Sequence, residues 1–199
     1  MCIRDRSTIE RLSKDKISLE LFSIIFPELK DIKIFSNLDR SKKMLLQDED
    51  FIFFLSLMII DDTDNTDYFL YKFNLSKKDQ KRLKSIDLFY KEKVNINKFT
   101  EKYLNKIFYF KGKQSVIDII NFKLFTSSKV EKKLIRLIEI YKKKVIPAMP
   151  IASNILMTKY NIPEGKTLGN KLKMIEEVWV NSNFKISDKQ IQKIVKGCL

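Results

Sequence analysis

Residues 147–184 read PAMPIASNILMTKYNIPEGKTLGNKLKMIEEVWVNSNF, and the punctuation inside this stretch decides how the chain is built. It holds three of the four prolines and two of the four glycines, so the rest of the chain must run as long helices with short connections. Pro147 and Pro150 end the basic helix before them, because proline has no N–H and its ring clashes with the preceding turn. A short helix is expected from Ile151 to about Lys159. Asn161, Pro163 and Gly165 then make a turn, with Gly165 free to take a positive φ. From Thr167 the pattern is helical: Leu168, Leu172, Ile175 and Trp179 stand at i, i+4, i+7 and i+11, one apolar face. Lys166, Lys171 and Lys173 flank the start of that helix, off the apolar face. Free N–H groups and the dipole at a helix start favour an anion, so Gly165 and these lysines are candidate phosphate contacts. A Pro/Gly turn between amphipathic helices also serves, more commonly, only to set a packing angle.

Composition narrows the class. The chain has 199 residues, 44 % hydrophobic and 32 % charged, which excludes a disordered polymer and allows a real core. Its 39 Lys+Arg against 25 Asp+Glu give a net charge of +14, which suits a polyanionic partner, nucleic acid or an acidic membrane surface. No apolar run reaches the ~18–20 residues of a membrane span. Phe51 to Ile60 is a buried core helix by its length. Cys2 and Cys198 have no metal or disulfide spacing, and no apolar leader segment is present, so a reducing, cytoplasmic location is expected. With no histidine, the commonest general base and metal ligand is missing.

Taken in order, the chain reads as about ten helices without sheet: an all-α, curved multi-helix bundle. Ser13 is a candidate N-cap for a helix whose inward face is Ile17, Leu21, Ile24 and Ile25. Pro27 suits the first turn of a helix over Glu28 to Leu38, and Asp39 to Asp50 reads as a polar connection. The acids at Asp61, Asp62, Asp64 and Asp67 lack the glycine and glutamate of a calcium loop and read as a solvated cap. Ser76 with Asp79 approximates a capping box, ahead of Leu83 and Ile86. Asn95 to Phe110 is a helix with Phe99, Tyr103, Ile107 and Phe110 on one side, and Gly112 closes it. Val116, Ile119, Ile120, Leu124 and Phe125 face inward from the next. Ser128 with Glu131 caps a helix carrying Val130, Leu134, Leu137, Ile138 and Tyr141 inward. Lysines crowd the rest of that helix and end in Lys142, Lys143 and Lys144, candidate RNA contacts because they run into the Pro/Gly turn. Ser187 with Gln190 caps a last helix, Lys189 to Val195.

The run Pro150, Gly165, Leu168-Gly169, Leu172, Glu176-Glu177, Trp179 and Phe184 resembles the C-terminal region of the tRNA nucleotidyltransferase/poly(A) polymerase family, in the form typical of alphaproteobacterial CCA-adding enzymes. Ser153-Asn154 stands where relatives often carry Gly-Arg. The Leu75-Ser76 helix start resembles the family's body segment. The segment from Ile9 to Leu21 resembles its neck helices, with Asp15-Lys16 in place of Glu-Arg; Arg11 and Lys16 are the candidate RNA contacts there. The resemblance implies neck-like helices over 7–45, a helical body over 46–146 and a helical tail over 147–199. Residues 1–6, MCIRDR, resemble a translated adapter remnant, and the natural protein is expected to extend upstream.

By that resemblance the intact protein is a transferase that adds CCA, or poly(A), to RNA 3′ ends from CTP and ATP, with tRNA or another RNA 3′ end as partner. The family's metal-holding carboxylates, which take Mg2+, lie in an N-terminal α/β head with Gly-Gly and Asp-x-Asp motifs; none occurs here, so no catalytic or metal residue is assigned and the chain alone is expected to be inactive. Two rivals remain. Residues 161–169 loosely resemble a helix-hairpin-helix DNA-binding turn, although their glycines are four apart. An interaction scaffold whose charge merely reflects genome composition is the other.

Overall fold

The computed structural model describes residues 6–92, 99–127 and 131–197. They form twelve α-helices and one 3-10 turn, with no strand among the described residues. No described helix is long and apolar enough to cross a membrane. The chain divides into two compact units, the first comprising Met1–Asn95 and Lys113–Lys144, the second Ile96–Gly112 and Val145–Leu199.

The first unit contains α1 (Arg6–Lys14), α2 (Lys16–Ile25), the 3-10 turn (Ile32–Phe35), α3 (Arg40–Leu45), α4 (Phe51–Ile59), α5 (Asn65–Lys72) and α6 (Lys77–Lys91). Its remaining helices are α8 (Lys113–Thr126) and α9 (Lys132–Lys143). At its centre stands α8, buried from Ser115 through Phe122 and again at Leu124 and Phe125, and packed on α3, α4, α6 and α9. Its apolar residues run all round the helix, and such a helix can only be stable inside. Beside it α4 is equally apolar, with Ile52 to Ile59 buried and Asp50 accepting from the Phe53 N–H at 3.1 Å as its cap. Phe35 joins the two, its ring 5.9 Å from Phe54 and 6.2 Å from Phe125.

Several local expectations are corrected here. Ser13 lies inside α1, where its hydroxyl donates to the Glu10 carbonyl at 2.7 Å, and Asp15 takes the N-cap position of α2. The face Ile17, Leu21, Ile24 and Ile25 points outward, 57–76 % exposed, because Phe22 is the residue that α2 buries, 4.9 Å from Phe26. Between Pro27 and Leu38 there are turns and the 3-10 segment rather than an α-helix. The stretch expected to be a polar connection contains α3, capped by Asp39 accepting from the Lys42 N–H. The acidic stretch behaves as a loop: Asp61 accepts from the Thr63 N–H and pairs with Lys30 at 2.6 Å. Ser76 caps α6, and Leu83 and Ile86 are fully buried. Ser128 and Val130 lie outside the described residues, as does 95–98. Downstream of that gap, Leu134, Ile138 and Tyr141 are buried as expected.

The second unit is built from α7 (Glu101–Lys111), α10 (Ser153–Tyr160), α11 (Lys166–Asn181) and α12 (Asp188–Lys196). Leu156, Ile162, Leu168, Ile175, Ile191 and Ile194 make its core, with Leu172 packed against it. Further along the same face of α11, Trp179 meets Tyr109 edge-on at 5.3 Å and Phe184 at 5.0 Å. The inward stripe of α7 is Leu104 and Phe108; Phe110, expected inside, is 41 % exposed. Thr100 caps α7 at Tyr103, so the helix starts later than periodicity alone suggested and the stripe turns with it. A complete capping box between Ser187 and Gln190 opens α12.

Candidate nucleic-acid interface

Two basic ends carry most of the expected contacts, one in each unit. In the first, α9 ends at Lys143 with nothing acidic in its last turn except Glu139 one turn back, 3.8 Å from Lys142. Lys142 and Lys143 are exposed, while Lys144 lays its ammonium over the Tyr141 ring, 5.0 Å from the centroid. A fourth cation joins them from another helix: Lys113 Nζ donates to the Lys142 carbonyl at 2.9 Å. The sequence marked Lys113 only as part of a basic turn, because nothing in a linear reading says that α8 begins where α9 ends. Cations at a helix C-terminus are stabilised by its dipole, which gives this cluster a structural reason as well as a chemical use.

In the second unit the turn is built as its residues require. Asn161 takes the left-handed region (φ 52°) and closes α10. Gly165 stands at φ 136°, ψ −162°, a conformation that a side chain resists, and serves as N-cap of α11 without any side-chain hydrogen bond. The first turn of α11 contains no acid and opens with Lys166. A lysine there opposes the helix dipole, so the local sequence gives up a little stability at this point. Lys166 and Lys173 are exposed and seven residues apart, two turns along one side of α11, opposite Leu168, Ile175 and Trp179. Glu164 is the nearest acid in sequence and is also exposed.

Lys171 departs from expectation. Instead of lining the start of α11, its Nζ donates to the Ile194 carbonyl at 2.5 Å and caps the last turn of α12 beside Gly197. Replacing Lys171 with Met is therefore expected to lower the thermal unfolding midpoint by a few degrees, the reading of about 1 kcal/mol. An unchanged midpoint would show that the contact carries no stability.

Glu176, Trp179 and Phe184, which also carry the family resemblance, have packing duties. Tyr109 Oη donates to Glu176 at 2.7 Å, and burial together with that bond pushes the Tyr109 hydroxyl up to about 12. Arg11 and Lys16 are exposed near the junction of α1 and α2, Arg11 in the last turn of α1 where its charge suits the dipole.

Magnesium, implied by the resemblance, needs clustered carboxylates, and among the described residues no group of three potential ligands could hold a metal. Asp50 and Asp118 share the guanidinium of Arg82, whose positive charge stands where a cation would have to sit. Among the described residues, these carboxylates do not fit the ion. Compared with protein-family models, curated proteins and solved structures, the chain gives no match.

Proposed function

We infer that the chain holds RNA through its phosphates, as the helical portion of a nucleotidyltransferase that adds CCA or poly(A) to RNA 3′ ends from CTP and ATP. The nucleotide-adding chemistry of such an enzyme belongs to an α/β head whose motifs are not contained in these 199 residues. What supports the RNA-holding part best is the start of α11: a left-handed Gly165 with no side-chain cap, no acid in the first turn, and exposed Lys166 and Lys173 on one side. Such a helix start leaves its first backbone N–H groups to water or to an anion, and the net charge of +14 favours a polyanion there. The nucleotidyltransferase part rests on the sequence resemblance, and a cytoplasmic location follows from it.

Binding of tRNA lacking its CCA end, followed by fluorescence anisotropy over 50–300 mM salt, tests the reading. Each phosphate neutralised contributes about 0.7–0.9 to the slope of log affinity against log salt, so three or four contacts give a slope near −3. A flat salt response, or equal affinity for heparin and tRNA, would count against RNA recognition; tighter binding of duplex DNA would favour a DNA-binding module.

A further inference from the structure

The outer face of α5 holds two aromatic rings in water. This helix buries Asn65, Thr66, Phe69 and Leu70, which leaves Asp67, Tyr68, Tyr71 and Lys72 on the opposite face. Tyr71 is 90 % exposed and Tyr68 55 %. Residues three apart are neighbours on a helix surface, with about 5–6 Å between their Cβ atoms. Single apolar residues scattered on a surface are ordinary, but two adjoining rings form a patch. Of the large apolar side chains on α5 and α6, only Leu88 is also exposed, and it lies toward the far end of α6. The patch is aromatic, not aliphatic.

Cations surround it. The two helices are joined through 73–76 and run antiparallel, since Thr66 donates to Asp87 at 2.9 Å and Lys84 pairs with Asp67 at 3.2 Å. Tyr71 and Lys72 therefore lie at the joined end, where Lys77 and Lys78 are exposed on the first turn of α6. From Asn65 to Lys91 there are seven cations against three acids. Asp87 is buried, and Asp79 accepts from the Ser76 hydroxyl at 2.7 Å. Asp67 is the one acid on the outer face of α5. Its pair with Lys84 is exposed on both sides and worth little, so Lys84 can exchange that carboxylate for a phosphate. Lys72 is fixed instead, paired at 2.5 Å with the buried Glu28.

We propose that the outer face of α5 is a stacking platform for unpaired RNA bases, with Tyr68 and Tyr71 under the bases and Lys77, Lys78 and Lys84 on the flanking phosphates. Naming RNA rests on the RNA-holding function proposed above; the platform itself is read from α5 and α6. Every base has a ring face that an aromatic side chain can cover, and a basic surround tracks the backbone. A duplex does not suit this face, because paired bases already cover one another. A peptide partner needs buried area well beyond two rings, whereas a stacked base needs only one ring face.

The test uses the full chain and a labelled oligoadenylate of about ten nucleotides, followed by fluorescence anisotropy. Repeating it on Lys166→Glu/Lys173→Glu removes the start of α11 as a second site. Tyr71→Ala should weaken binding about fivefold or more, and Tyr68→Ala/Tyr71→Ala further still. Tyr71→Phe should stay within about twofold of the parent, because its ring face remains. Tyr71→Ala should leave the salt slope unchanged, while Lys77→Ala/Lys78→Ala should reduce it by about 1.4, at about 0.7 per phosphate of a single strand. Both tyrosines are exposed, so unfolding midpoints should hold and separate lost affinity from lost folding. An oligoadenylate that does not bind, or binds the parent and Tyr68→Ala/Tyr71→Ala equally, overturns the platform. Displacement by polyglutamate of equal charge as readily as by unlabelled oligoadenylate also overturns it, since that marks attraction to charge alone. If tRNA fails to bind while the oligoadenylate binds through the tyrosines, the tRNA reading falls and the platform stands. If tRNA binds and the tyrosines are irrelevant to both ligands, the reverse holds.

Discussion

Replacing Arg82 with methionine is expected to destabilise the first unit by about 3–5 kcal/mol, measured by urea denaturation near pH 7. Arg82 is 7 % exposed and Asp118 not at all, so the substitution strands a buried carboxylate without its cation. Asp50 loses less: its side chain is 55 % exposed, and it keeps the Phe53 N–H. Burial works to raise the Asp50 carboxyl, but Arg82 and that N–H outweigh it and hold the group below its usual range; burial raises Asp118. Without Arg82 the rise at Asp118 should be larger still. Part of the lost stability should then return as pH falls and Asp118 protonates. Adding Asp118→Asn to Arg82→Met should recover much of the loss at pH 7, since a neutral amide costs less to bury than a charge. Arg82→Lys should fall between, because one ammonium cannot span two carboxylates as a planar fork does. A loss below about 1 kcal/mol for Arg82→Met would show that solvent reaches Asp118.

Reversing Lys166 and Lys173 to glutamate should weaken tRNA binding by roughly tenfold or more beyond the loss from reversing Lys189 and Lys193, and should reduce the salt slope by about 2. Both pairs are exposed, both lie in the second unit, and the change in net charge is the same. Long-range attraction responds to total charge and affects both alike, whereas a phosphate seated on the start of α11 responds only to the first pair. Exposed charges contribute little to folding, so unfolding midpoints should stay close in the two variants. Lys171 is left intact because it caps α12. Equal losses of affinity would mean that the turn at 161–165 only sets the angle between α10 and α11.

The chain by itself determined its class and most of its helices. A sequence with four glycines and four prolines, apolar residues at helical spacing and Ser, Thr or Asp before many of the runs admits no sheet-sized alternation. The caps at Ser76 and Ser187, the buried run after Asp50, and the left-handed turn before α11 were legible because each depends on a few neighbouring residues. The candidate lysines were legible too, as charge on helical faces. Which face of a helix is covered was not legible where two faces compete. In α2 four aliphatic residues lost the inward side to Phe22, and in α7 the stripe turned to Leu104 and Phe108. Nor could the sequence show what each charge meets, since partners arrive from distant segments. Arg82 meets Asp118 36 residues on, Lys171 meets a carbonyl 23 residues on, and Lys113 reaches the end of α9. Local backbone preference is written residue by residue, but burial and ion pairing are decided by packing, because only there are water and alternative partners excluded.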